Sequence, residues 1–215
     1  MEPDGDLRFS SFGFVRLAAD RDGEKLFRML RSSEQFTAAK SDEDLTAGTD
    51  FAALVAAGIA RASRVGQSEE SLEVICTAMK RWIGQYEKVE DSHWMVTPLL
   101  WLCTRARKVS MGLDKAGSTD RYRKKLVEVH RETFNHLRKN RAKQEGCLTV
   151  YCELLRLYFS IGWALQCAFL LVAAVQGDKL DLEALRPRAF AVTLAFFWGK
   201  LCVLDGNVTE AQKKT

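Results

Sequence analysis

Proton transfer, metal binding, thiol attack and phosphate contact each need particular residues at particular spacings, and this chain supplies them sparsely. Of its three histidines, His130 and His136 are six residues apart. On one helix that spacing points the two rings to different faces, so they cannot form the i, i+4 pair that grips zinc. His93 stands beside Trp94, but local spacing suggests no Ser or Cys nucleophile with an orienting carboxylate. A histidine at a helix start is the expected reading there; nucleophiles assembled only by the fold stay open. The six cysteines, at 76, 103, 147, 152, 167 and 202, form no CxxC pair and fall mostly inside apolar helical patterns. With no signal peptide at the acidic start MEPDGDLRFS, they read as buried, reduced thiols of an intracellular protein, and the sequon Asn207-Val208-Thr209 as unused. Asp42, Asp44 and Asp50 lack the glycine and terminal glutamate spacing of a calcium loop. No phosphate-binding glycine loop or dinucleotide fingerprint occurs. These absences predict a non-enzyme with no metal, cofactor or small-molecule substrate.

The one concentration of functional residue types is basic. The net charge is only +4, but residues 105–143 hold 13 basic and 4 acidic side chains, against 12 and 17 in residues 1–104 and 7 and 7 in residues 144–215. Arg121, Arg123, Lys124, Lys125, Arg131, Arg138, Lys139, Arg141 and Lys143 are expected on a single long helix over residues 119–143. There they would track phosphates in a salt-dependent, sequence-independent way. An ordinary solvated face is the equal alternative. Tyr122, His130 and Phe134 add too little aromatic character to predict base stacking.

The elements that must carry these residues read as helices. The composition is rich in Ala, Leu, Lys, Arg and Glu, with three prolines in 215 residues, and it predicts an all-α chain. Residues 1–50 are expected to be a poorly ordered lead-in, holding a short helical candidate at 24–31 and ending in the acidic linker SDEDLTAGTD. Residues 51–215 are expected to form the helical-repeat domain. Within it, 51–65 is a small-residue helix ended by Gly66. Ser68 caps the next, with Glu69 and Glu70 in its first turn and a stripe of Leu72, Ile75, Met79, Trp82, Tyr86 and Val89 at spacings of three and four. Asp91 or Ser92 is expected to cap a third. Four further segments are predicted at 148–161, 163–176, 187–204 and from Val208. Short turns between successive helices imply stacked antiparallel hairpins, a TPR-like repeat or α-solenoid without a simple residue period. Residues 157–177 carry no charge over a length that spans a bilayer, yet Ser160, Gly162, Gln166 and Gln176 favour two buried helices over a membrane hairpin.

Three blocks of residues resemble one family. Residues 153–174 carry Leu154, Arg156, Tyr158, Phe159, Cys167, Leu170 and Leu171. Before them come Ser92, His93, Trp94, Pro98 and Leu99, and after them Phe196, Phe197, Gly199 and Lys200, followed by Asp205 and Ala211. In this order they resemble the PCI-domain family, in particular its subunit of the nuclear messenger-RNA transcription and export complex and a signalosome-associated relative. The family has Tyr-Tyr where Phe196 and Phe197 stand, Arg where Lys200 stands, and Arg-Ala where Val172 and Ala173 stand. It continues into a winged helix that is not found in these residues. The resemblance implies a non-catalytic scaffold subunit in the nucleus, with the cytoplasm also open. Its partners would be a larger helical scaffold subunit, a small acidic disordered subunit, and RNA or DNA. A stand-alone nucleic-acid-binding module is the alternative. Residues 148–211 are thus expected to be packed scaffold, with function on the basic helix before them.

Overall fold

The structure, a computed structural model, describes residues 11–32, 51–172, 188–204 and 206. Among them every regular element is helical: α1 (Ser11–Ala19), α2 (Gly23–Ser32), α3 (Phe51–Val65), α4 (Glu69–Tyr86), α5 (Val96–Gly117), α6 (Arg121–Leu137), α7 (Gln144–Ser160), α8 (Ala164–Val172) and α9 (Arg188–Leu204), with 3-10 turns at His93–Met95 and Arg141–Lys143. The chain is all-α, built of stacked helical hairpins. Most helices pack on a sequence neighbour, most extensively α3 on α4, then α4 on α5 and α6 on α7, while α2 packs on α1 and on α5. Contacts of α1 with α3, α5 with α7 and α7 with α9 then join one hairpin to the next. That pairing of neighbours and next-neighbours is what a helical stack requires, because one hairpin cannot bury its apolar face alone.

α4 is the helix whose local chemistry is plainest. Ser68 is extended and its hydroxyl accepts the Ser71 amide, closing the first turn, and Leu72, Ile75, Met79, Trp82 and Tyr86 are all buried. The helix stops at Tyr86, so Val89 packs from the following loop. Gly66 and Gly162 sit at positive φ, turning the chain between α3 and α4 and between α7 and α8, as single left-handed residues that glycine adopts without strain.

The structure corrects several sequence expectations. Residues 11–32 are not a poorly ordered lead-in: α1 and α2 place Phe14, Leu26, Met29 and Leu30 in the core. Phe14 meets Trp82 edge-on at 5.9 Å. Gly23 lies so close to the 3-10 turn that a Cβ there would come 2.0 Å from the Trp94 carbonyl oxygen. The basic helix expected over 119–143 ends at Leu137, and Ser92 precedes a 3-10 turn without capping it through its side chain. α7 begins at Gln144, before the expected 148. The acidic linker, Asp42, Asp44 and Asp50, residues 173–176, Pro187, the Asp205–Asn207 tract, the sequon, Ala211 and the segment from Val208 lie outside the described residues, apart from Gly206. Among described residues no helix is long and apolar enough to cross a membrane.

Candidate partner-docking face and the basic segment

The helix ends divide the basic residues into three groups. Arg123 faces inward. Asp114, buried near the end of α5, accepts the amides of Tyr122 and Arg123 and the Arg123 Nε, each at 2.9 Å, and the Thr119 hydroxyl at 3.0 Å. It therefore caps α6 in place of Asp120, whose carboxylate instead takes Arg123 Nη2. Arg123 Nη1 donates to the Ser160 carbonyl, tying α6 to the end of α7. Lys143 is buried as well. Its ammonium donates to the Val89 carbonyl and, at 2.8 Å, to the Ser92 hydroxyl, and stands 5.0 Å from the centroid of the Tyr86 ring. Both cations are engaged by the fold, Arg123 by Asp114 and Asp120 and Lys143 by Val89 and Ser92.

A second group is paired at the surface: Lys125 with Glu73 at 3.0 Å and Arg131 with Glu128 at 3.3 Å. The third group is exposed and pairs with no carboxylate among the described residues. Arg121 and Lys124 stand at one end of α6, and Arg138 and Lys139 just past the other. The exposed Glu128 and Glu132 lie on the same face between them, so the stripe is two short basic ends about 25 Å apart. The Arg141 side chain lies outside the description.

Between α5, α6 and α7 runs a buried polar seam that local spacing did not reveal. Glu153 takes Arg107 at 2.7 Å, Arg156 at 2.8 Å and the Thr104 hydroxyl at 3.3 Å, while Arg156 also reaches the Thr193 hydroxyl of α9 at 3.0 Å. Nearby, His130 is fully buried, its Nδ1 against the Leu126 carbonyl at 3.1 Å and its Nε2 without a partner among the described residues. Burial drives its pKa down to about 4. His93 and His136 instead face solvent, 2.8 Å from Glu145 and Glu87 respectively. The three histidines thus lie in separate places, and among described residues no His, Cys, Asp or Glu group is arranged to hold a metal. Burial pushes the Cys76 thiol up to about 11 and those of Cys152 and Cys167 to about 12, the opposite of what thiolate chemistry needs. An open recess of about 580 Å³ beside the α5–α6 turn is lined by the Asp114–Arg123–Asp120 staple, in which the guanidinium is paired with both carboxylates.

The residues that carried the family likeness are spread along the stack. Pro98, Leu154, Tyr158, Cys167, Phe197 and Gly199 are buried, and Trp94 is half-buried, edge-on to Trp82 at 5.7 Å. One group of them meets: Phe159 of α7 lies 4.9 Å from Phe197 and Phe196 5.3 Å from Phe197, and the Lys200 ammonium stands over Phe196 at 4.8 Å and Phe159 at 5.5 Å. No known family, curated protein or solved structure matches this chain.

Beside this group lies a face that the sequence reading took for core. α9 points Phe190, Leu194 and Phe197 inward, yet Val192, Phe196, Val203 and Leu204 point outward, Val192 and Leu204 each 67% exposed. On α8, Cys167 and Leu171 are buried while Leu165 and Phe169 are 65% and 68% exposed. Among the described residues, every large apolar side chain about half exposed or more is on these two helices. A helix that is apolar on all sides belongs inside something. The signal was present in residues 189–199, where Thr193 is the one polar side chain and no charged side is left to put in water.

Proposed function

We propose that this chain is a non-catalytic helical-repeat scaffold that seats a protein partner on the outward faces of α8 and α9. The observation that carries it is the exposure of Leu165, Phe169, Val192, Phe196, Val203 and Leu204 on the last two described helices. Apolar faces of this kind mark interaction surfaces. The PCI-like residues support the same reading. A larger helical subunit of a PCI-type complex, in nuclear messenger-RNA export coupled to transcription, is the partner they imply.

Co-purification tests this. A tagged Leu165→Glu, Phe169→Glu, Val192→Glu variant, all three positions exposed, keeps the wild-type circular dichroism and loses the proteins that the wild type brings from native extract. Retention of the full set of proteins rejects the docking face. Recovery without any PCI-type or RNA-export protein rejects the family reading while leaving the face.

A nucleic-acid role rests on the exposed, carboxylate-free Arg121, Lys124, Arg138 and Lys139. It is the second reading, because Glu128 and Glu132 interrupt the stripe and Arg123 and Lys143 are consumed by the fold.

A further inference from the structure

We infer that the partner element seated on α9 is an amphipathic helix carrying a carboxylate that meets Lys200. This deepens, and rests on, the docking face proposed above. The outward residues Val192, Phe196, Lys200 and Val203 follow one another at spacings of four, four and three, a single ridge about 17 Å long. That is the length of a three-turn helix. α9 satisfies its own backbone, and no described element offers a strand edge, so recognition runs through side chains. An apolar ridge of this form matches helix-on-helix docking with anchors at i, i+3 or i+4 and i+7.

Charge selects the occupant. α8 and α9 contain no Asp or Glu, and Lys200 is the one cation among their described side chains. Its ammonium is fixed over Phe196 and Phe159 and has no ion-pair partner among the described residues. A neutral surface laid on the ridge would strip water from this charge and give nothing back, which is unfavourable. A second copy of the chain would bring another Lys200 and no acid from α8 or α9. Nucleic acid would answer Lys200 but not the four outward apolar residues of α9, and anionic membrane binding calls for a face with several cations. A helix with a leucine-type ridge flanked by Glu or Asp satisfies both features at once.

The test uses the full chain and two stapled helical peptides with the same leucine ridge, one flanked by glutamates and one by lysines. In fluorescence anisotropy the glutamate peptide binds wild type about tenfold more tightly than the lysine peptide, consistent with one close charge pair. Lys200→Gln abolishes the preference, Lys200→Glu reverses it, and high salt shrinks it. Equal affinities overturn the inference and leave apolar docking standing; binding of neither peptide overturns it too. A concentration-dependent dimer in light scattering that Phe196→Glu abolishes overturns it in favour of a second copy. Co-sedimentation with anionic phosphatidylserine vesicles overturns it in favour of a membrane. The scaffold reading falls separately, by retention of the native proteins in the triple-glutamate variant.

Discussion

The Asp114 carboxylate receives both the backbone amide and the guanidinium Nε of Arg123, each at 2.9 Å, so one buried acid caps α6 and pins the helix to α5. Burial pushes this carboxyl up, but the amides of Tyr122 and Arg123, the guanidinium and the Thr119 hydroxyl together hold it below the ordinary carboxylate range. Removing one partner of a buried pair strands the other, and Asp114→Ala is expected to cost about 3 kcal/mol in urea unfolding at pH 7. Because the folded pKa is depressed, the contribution is present above the unfolded value near 4 and lost as pH falls through the folded one. The gap between wild type and variant therefore narrows at pH 3.

His130 adds to the same acid limb of the profile, at higher pH. Its burial holds it neutral down to about 4, while in the unfolded chain it takes a proton near 6.5. Stability is expected to fall by about 3 kcal/mol as pH drops through that window. His130→Leu flattens this part of the curve, measured as the urea midpoint between pH 7 and pH 4; an unchanged slope contradicts the assignment.

Lys143 bridges two loops, donating from the α6–α7 connection to Val89 and Ser92 of the α4–α5 connection. Lys143→Met keeps the stem and loses the donors. Loss of buried hydrogen bonds from a charged group predicts destabilisation of about 1–3 kcal/mol, read as a lower urea midpoint with the same denaturant slope.

What was legible in the sequence was local. Ser68 and the stripe from Leu72 to Tyr86 define α4 within their own neighbourhood, and Gly162 marks its turn by its own conformation. The cap of α6 was not legible, because Asp114 lies six residues before the N-cap position and Asp120 is the nearer candidate. Nor was the burial of Lys143, which depends on a loop some fifty residues away. α1 and α2 were obscured by the Gly, Ser and Asp around them, although Phe14, Leu26 and Leu30 join the core, Phe14 against Trp82. The outward residues of α9 were visible as apolar but not as exposed, since only the packing of α7 and α8 shows which side is already taken.

RNA binding by the basic segment is expected to be weak and salt-labile. Arg121, Lys124, Arg138 and Lys139, the four exposed and carboxylate-free candidates among the described residues, supply four phosphate contacts by themselves, for a slope of log K against log salt on single strands of about −3. Arg121→Glu, Lys124→Glu, Arg138→Glu and Lys139→Glu together abolish any such binding without changing helicity. A steeper slope, or binding that survives the fourfold reversal, contradicts the division of the stripe by Glu128 and Glu132.

Amide hydrogen exchange, followed by mass spectrometry, addresses the docking face most directly, comparing the isolated chain with the same chain in the assembly recovered from native extract. The account predicts that exchange slows across residues 164–172 and 188–204 in the assembly, while α4 and α6 exchange alike in both samples. Slowing confined to residues 121–143, with α8 and α9 unchanged, would contradict it and move the partner to the basic segment.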